Sequence, residues 1–339
     1  MIDPQVGDRV SEYVLSSPLG AGSFGRVWKA VHHVWKDRVV AVKIPTDPHY
    51  VRHLRDEGVA LQRLEHPNIV RALGLDPWAD PPYFVMEYVD GCSLRALLEL
   101  HPRGLPVETL DAVLHAILTA LAHAHERGIY HRDIKPENVL VRGARGGDRR
   151  PVRSPDVRLT DFGLVRAEPR PTGSLEQSGS MDAAAARRLT GTLAYMAPEQ
   201  LNGTEADART DLYSLGIVLF EMACGERPSG TETPCAVRPG LPGWVDEVFT
   251  RMYARRERRF SSAREALAAL ASSTGQVWGR PDEAESSCDS CGGPTMADDC
   301  FCIHCGTALA DPARCPDCRG YVGRDDRYCT FCGASLAAA

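Results

Sequence analysis

His131-Arg132-Asp133-Ile134-Lys135-Pro136-Glu137-Asn138 brings a carboxylate, an ammonium and a side-chain carbonyl together within six residues, and Pro136 keeps the run out of a regular helix interior. Asp133 can accept a proton, Lys135 can steady an anion and Asn138 can ligate a cation. Working outward, Asp161-Phe162-Gly163 supplies a second carboxylate downstream. Upstream, residues 38–44 read as a strand that presents Ala41-Val42-Lys43, and Glu57 falls on a helix that ends before His66-Pro67-Asn68-Ile69-Val70. Further upstream still, Gly20-Ala21-Gly22-Ser23-Phe24-Gly25 separates residues 13–19 from 26–34, two runs rich in β-branched and aromatic residues that read as strands. The glycines leave backbone amides free to close over phosphates. Taken singly, the glycine loop is more often an ordinary turn, and a lone strand lysine is more often a solvated edge charge. No single piece carries the argument, but the ordered set does.

The ordered set resembles the signature of protein kinases, bacterial-type (eukaryotic-like) serine/threonine kinases in particular, from Tyr13 to near Leu270. The resemblance implies an α+β, two-lobed kinase fold with a small β-rich amino-terminal lobe and a large helical carboxy-terminal lobe. It also implies roles. Lys43 would hold the α- and β-phosphates with Glu57 as its ion-pair partner, and Asp133 would take the proton of the substrate hydroxyl. Lys135 would steady the transferring group, and its identity is that of serine/threonine kinases; Asn138 and Asp161 would bind Mg2+ (or Mn2+). Met86-Glu87-Tyr88-Val89 looks like the hinge, with Met86 guarding the back pocket and the backbone at Glu87 and Val89 facing adenine. Gly20, Gly22, Gly25, Val27, Ala41 and Leu140 would complete the ATP site. A catalytically dead nucleotide-binding scaffold is the competing class, disfavoured because Lys43, Glu57, Asp133, Asn138 and Asp161 are all present.

Residues 164–190 look like an activation loop bearing Ser174, Ser178, Ser180 and Thr190, with Thr190 as the expected regulatory phosphosite and His53, Arg132 and Arg166 as its cationic pocket. Thr192 would instead contact the base and the catalytic lysine. Glu199 is expected to pair with Arg259, and Asp211 to open a long apolar helix reaching Cys224. The run 225–244, rich in proline and glycine, departs from the family, which has another helix there. The basic insert 142–153 reads as a surface loop, with docking of an acidic partner as the sharper alternative. Gly58 is costly inside a helix, by about 1 kcal/mol relative to alanine, which suggests a mobile helix.

The length of 339 residues allows about two domains. A net charge of -6 argues against a general binder of nucleic acid or anionic lipid. No apolar leader follows Met1 and no run of about 18 apolar residues occurs, so the expectation is a cytoplasmic protein with no membrane span. Lysine is confined to Lys29, Lys36, Lys43 and Lys135, two of them at motif positions where a compact ammonium suits a phosphate oxygen.

Cysteine is concentrated at the carboxy-terminal end. Cys288/Cys291, Cys302/Cys305, Cys315/Cys318 and Cys329/Cys332 are C-x-x-C pairs, and a shift of 27 positions superimposes the first four on the second four. Such spacing matches tetrahedral zinc, and a piece this short has little core of its own. The tail resembles a double zinc ribbon, which implies two structural Zn2+ and a protein partner; disulfides are the alternative, disfavoured in a reducing compartment. The expected domains are therefore a kinase domain at 13–272, a linker at 273–287 and the double ribbon at 288–339.

Overall fold

The computed structural model describes residues 4–21, 25–47, 50–144, 151–162, 193–203 and 206–274, together with the pairs 286–287 and 294–295. The chain divides into two compact units, Met1–Gln276 and Val277–Ala339.

The first unit begins with a six-stranded antiparallel sheet in the order β1-β2-β3-β4-β6-β5. Its strands are β1 (Arg9–Val10), β2 (Tyr13–Ala21), β3 (Gly25–His32), β4 (Val39–Pro45), β5 (Ala72–Asp76) and β6 (Tyr83–Glu87), with α1 (Val51–Gln62) between β4 and β5. Strand alternation sorts the two faces. Val40, Val42 and Ile44 of β4 join Trp28, Ala30, Leu15 and Val85 in a small core on one face. Ala41 turns the other way with Phe84 and Met86 of β6, into the large core shared with α1 and the helical lobe. Lys43 shares that second face with Ala41, two residues away, and its strand neighbours are Val27 and Phe84.

Helix α1 lies close on β5 and β6 because Gly58 has no side chain. A Cβ there would come 2.9 Å from Leu75 Cδ2 and 3.4 Å from Phe84 Cδ2. The glycine that sequence reasoning linked to mobility thus has a packing reason: it lets the helix carrying Glu57 approach the sheet.

A three-stranded sheet of β7 (Gly91–Ser93), β8 (Val139–Arg142) and β9 (Val157–Leu159) lies below the hinge. The helical lobe comprises α2 (Leu94–Glu99), α3 (Val107–His125), α4 (Pro198–Leu201), α5 (Ala208–Cys224), α6 (Pro234–Val237), α7 (Trp244–Met252) and α8 (Ala263–Thr274). Helix α3 is apolar enough, by length and composition, to cross a membrane, yet 72% of that stretch is buried inside the lobe. It is the core helix of the lobe: Leu110, Val113, Leu114, Ile117, Leu118 and Leu121 recur along it at helical spacing and all stand at 0% exposure. Helix α5 starts at an Asp207 cap, whose carboxylate accepts from Arg209 N at 2.9 Å, and stops at Gly225 in the left-handed conformation (φ 83°). The region 225–244 holds the single turn α6 where the family resemblance implies a full helix.

Among the described residues, the second unit contributes one antiparallel pair, Ser286–Ser287 with Pro294–Thr295. The expectation of two structural zinc ions is corrected here. Among the described residues no group of three or more His, Cys, Asp or Glu side chains is gathered to hold a metal ion. Tetrahedral zinc needs four ligands about 2.0–2.3 Å from one point, and no such set is found among the described residues. The residues assigned to it, Cys288, Cys291, Cys302, Cys305, Cys315, Cys318, Cys329 and Cys332, lie outside the described residues.

Helices α5 and α7 meet at Gly216, where a Cβ would come 2.9 Å from Met252 Cβ and 3.3 Å from Tyr253 N. A branched side chain there must push the helices apart. Gly216→Val should cost about 1–3 kcal/mol, measured as a lower urea midpoint; an unchanged midpoint would contradict this packing.

Candidate active site

Lys43 is 3% exposed and Glu57 6%. A charge this buried is tolerable only when paired. Lys43 Nζ donates to Glu57 Oε2 at 2.8 Å and to Asp161 Oδ1 at 2.9 Å, so one ammonium joins β4, α1 and the segment after β9. Burial works against the Lys43 charge, but Asp161 and Glu57 more than offset it and hold the ammonium above its ordinary range. Burial also pushes the Glu57 carboxyl up, against the pull of Lys43. For Asp161, burial is outweighed by the Lys43 charge and hydrogen bond, which hold it down to about 2. Asp161 is therefore an anion.

The second group is the loop before β8, where Pro136–Asn138 forms a 3-10 turn. Lys135 Nζ donates to Asp133 Oδ2 at 2.7 Å. Asn138 Nδ2 donates to the Asp133 carbonyl at 2.8 Å and to Asp133 Oδ2 at 3.1 Å. The three chemically distinct groups read from the sequence are thus in direct contact.

Support comes from below. Asp211, fully buried in the first turn of α5, accepts from His131 N at 2.8 Å, from Arg132 N at 2.7 Å and from the His125 ring at 2.8 Å. His131 is also fully buried. Its Nδ1 accepts from Asp133 N at 3.3 Å, so the other ring nitrogen carries the proton and donates to the Thr160 carbonyl at 2.9 Å. Burial lowers its pKa and keeps the ring neutral, although Asp211 and Asp133 pull the other way. Thr160 N in turn donates to the Asn138 carbonyl at 3.0 Å, and the His131 ring lies 4.7 Å from that of Phe162. These contacts tie the Asp133 loop to the Asp161 segment. Arg132 (φ 65°) and Asp161 (φ 56°) both adopt left-handed backbone, which non-glycine residues rarely take and which clusters at functional sites.

At the hinge, Met86 is buried, and Glu87 N donates to the Arg71 carbonyl at 2.9 Å. The Glu87 carboxylate turns to Arg142 at 2.5 Å and Arg158 at 3.5 Å, fastening the hinge to β8 and β9. Val27, Ala41 and Leu140 belong to or pack against the large core; Gly20 and Gly25 lie on β2 and β3, with Gly22 outside the described residues. Glu199 receives two hydrogen bonds from Arg259, at 2.5 and 3.2 Å, the expected pair. His53 and Arg132 are described, whereas Arg166, Ser174, Ser178, Ser180, Thr190 and Thr192 lie outside the described residues.

Sequence reasoning missed a polar network beside this site. Arg95 donates to Glu137 at 2.8 Å, to Glu221 at 2.7 Å and to the Tyr195 hydroxyl at 2.5 Å, and Tyr195 donates to Glu221 at 2.5 Å. Burial and the Glu221 carboxylate raise the Tyr195 pKa, keeping the phenol protonated. Gln200 Nε2 was missed too; it donates to the Arg132 carbonyl at 2.9 Å and links α4 to the Asp133 loop. Nothing local signals these contacts: Arg95 and Glu221 are 126 positions apart.

A buried ammonium held by two acidic side chains, beside a carboxylate, an ammonium and an amide in mutual contact, is an arrangement suited to phosphoryl transfer. The protein kinase domain family matches residues 13–238, and the chain belongs to that family. It is 32% identical over 271 residues to the serine/threonine-protein kinase PrkC of Bacillus subtilis, an alignment covering 74% of this chain and 38% of that protein. It is 37% identical over 254 residues to a probable serine/threonine-protein kinase of Streptomyces coelicolor, covering 70% and 35%. The chain thus spans little more than a third of the length of these curated relatives. Among solved structures, the Mycobacterium tuberculosis PknI kinase domain is similar with a TM-score of 0.60 and 26% identity, covering 81% of this chain and 100% of that one.

The Arg95 network yields a test of its structural weight. Arg95→Met would leave the Glu221 carboxylate, 6% exposed, without its cation. An unsatisfied buried acceptor costs about 1–3 kcal/mol, so chemical denaturation should show a loss in that range. A neutral result would mean that the network contributes no net stability.

Proposed function

We propose that this chain is a serine/threonine protein kinase that transfers the γ-phosphoryl group of ATP to hydroxyls of protein serine and threonine, its own included, in signalling. The observation that carries the proposal is the buried Lys43–Glu57–Asp161 cluster next to the Asp133–Lys135–Asn138 contact set. Serine/threonine specificity is supported by Lys135 and by the names of the relatives. A catalytic domain at 13–272 followed by a linker at 273–287 is supported by the compact-unit boundary at Gln276. Dependence on ATP supports a cytoplasmic site of action.

Magnesium fits the residues present. Asp161 is an anion, and Asn138 spends its side-chain N–H groups on Asp133 while its side-chain oxygen Oδ1 has no protein donor among the described residues. One carboxylate and one amide suit an ion that keeps water and takes its remaining ligands from phosphate. When bound, Mg2+ neutralises charge on the β- and γ-phosphates.

The protein groups then divide the work. Lys43, fixed by Glu57, meets the α- and β-phosphates as a point charge that cannot swing away. The hinge backbone at Glu87 and Val89 faces adenine, and Gly20, Gly22, Gly25, Val27, Ala41 and Leu140 enclose the nucleotide. Asp133 orients the acceptor hydroxyl and takes its proton as the new O–P bond forms and the bond from the γ-phosphorus to the β–γ bridging oxygen breaks, with ADP as the leaving group. Lys135, already 2.7 Å from Asp133, follows the charge onto the transferring group. Little covalent chemistry falls to the protein, so catalysis is positioning and electrostatics.

Asp133→Asn keeps shape but cannot accept the proton. Radiolabel transfer to a serine-containing protein should fall by about 100- to 10,000-fold while ATP still binds. Equal incorporation by wild type and variant would refute the enzyme reading.

A further inference from the structure

The turn formed by Ala254-Arg255-Arg256-Glu257-Arg258-Arg259 holds four arginines with two different fates. Arg259 is buried against Glu199, and Arg256 pairs with Asp207 at 2.6 Å. Arg255 and Arg258 are exposed and have no ion pair or side-chain hydrogen bond among the described residues. Both line a cavity of about 570 Å³ whose wall also includes Gly230, Thr231, Glu232, Thr233 and Thr250. Residues 230–233 belong to the irregular stretch left where α6 is only one turn long.

Part of the lining is aromatic. Phe249 and Tyr253 line the cavity and stack at 5.2 Å, and Tyr253 stacks on Tyr213 at 5.0 Å behind it. The one carboxylate in the wall, Glu232, is engaged by Ser229 N at 3.0 Å and Ser229 Oγ at 2.7 Å. Two uncommitted guanidinium groups therefore share a concavity with hydroxyl-bearing and aromatic side chains. The volume lies in the range of ligand pockets, about 300–1,000 Å³, and is too large for a single small anion to fill. Planar guanidinium groups are matched by carboxylates, which they bind in bidentate fashion.

We propose that this cavity docks an acidic segment of a protein substrate, with two carboxylates on Arg255 and Arg258 and an apolar side chain on Phe249 and Tyr253. The proposal rests on the kinase reading and adds to it the class of substrate. Its position suits the task. Arg259, in the same turn, holds Glu199 of α4, and the next residue, Gln200, holds the carbonyl of Arg132 beside Asp133. A segment docked there is tethered through rigid elements to the catalytic loop, which raises the local concentration of its acceptor hydroxyl.

The test uses the full chain and two fluorescent peptides, one carrying Glu-Leu-Glu and one Gln-Leu-Gln. Anisotropy should show saturable, salt-sensitive binding of the acidic peptide alone, weakened about tenfold by Arg255→Ala/Arg258→Ala together. Appending the acidic segment to a serine acceptor peptide should lower its KM for wild type and not for the double variant, with kcat unchanged. Arg255→Glu/Arg258→Glu should instead prefer a Lys-Leu-Lys peptide, which shows that the altered surface still folds. Asp133→Asn should bind the acidic peptide normally while failing to transfer phosphate, so loss of docking and loss of kinase activity are separable. Equal affinity of wild type and double variant would overturn the proposal. Displacement of the peptide by inorganic phosphate at comparable concentration would also overturn it, reducing the cavity to a general anion site.

Discussion

A single ammonium, that of Lys43, is buried between two carboxylates from distant parts of the chain, and the rest of the catalytic architecture is arranged to make that tolerable. A buried charge without partners is strongly unfavourable, and removing one partner from such a pair typically costs about 3–5 kcal/mol. Each element that meets at Lys43 must therefore be held in place by its own packing. β4 turns Lys43 toward the site because Val40, Val42 and Ile44 fill the opposite core. Helix α1 brings Glu57 close because Gly58 lets it lie against Leu75 and Phe84. Asp161 arrives through a left-handed turn anchored by Phe162, which is fully buried.

The second catalytic group stands on the helical lobe. Asp211 holds the backbone of His131 and Arg132, and neutral His131 passes that order to Thr160 and so to the segment carrying Asp161. The two halves of the site are thus coupled through backbone hydrogen bonds as well as through Lys43. Polar groups this deep are either satisfied or costly, which accounts for the density of hydrogen bonds around a loop with so little regular structure. The same logic extends outward through Gln200 and through Glu199 with Arg259 to the turn bearing Arg255 and Arg258.

The sequence made legible what depends on local spacing. The strand at 38–44 that presents Lys43 and the six-residue run from Asp133 to Asn138 both led to what is observed. Glu57 and Arg259 were reachable only through the family resemblance, since neither lies near its partner in sequence. Arg95, Glu137, Tyr195 and Glu221 carry no pattern, because only the tertiary fold brings these four side chains together. Gly58 was read through helix propensity, whereas close packing against Leu75 gives it a structural reason. The zinc expectation rested on C-x-x-C spacing, and no gathered ligand set among the described residues supports it.

The dependence on Lys43 is best tested by a double-mutant cycle in which Lys43→Met and Glu57→Gln are measured singly and together on kcat/KM for ATP. If Glu57 acts by fixing Lys43, the second change should cost almost nothing once the first is made, giving a coupling of about 1–3 kcal/mol. Losses that add to within about 0.5 kcal/mol would show that the two residues act independently and would contradict the account.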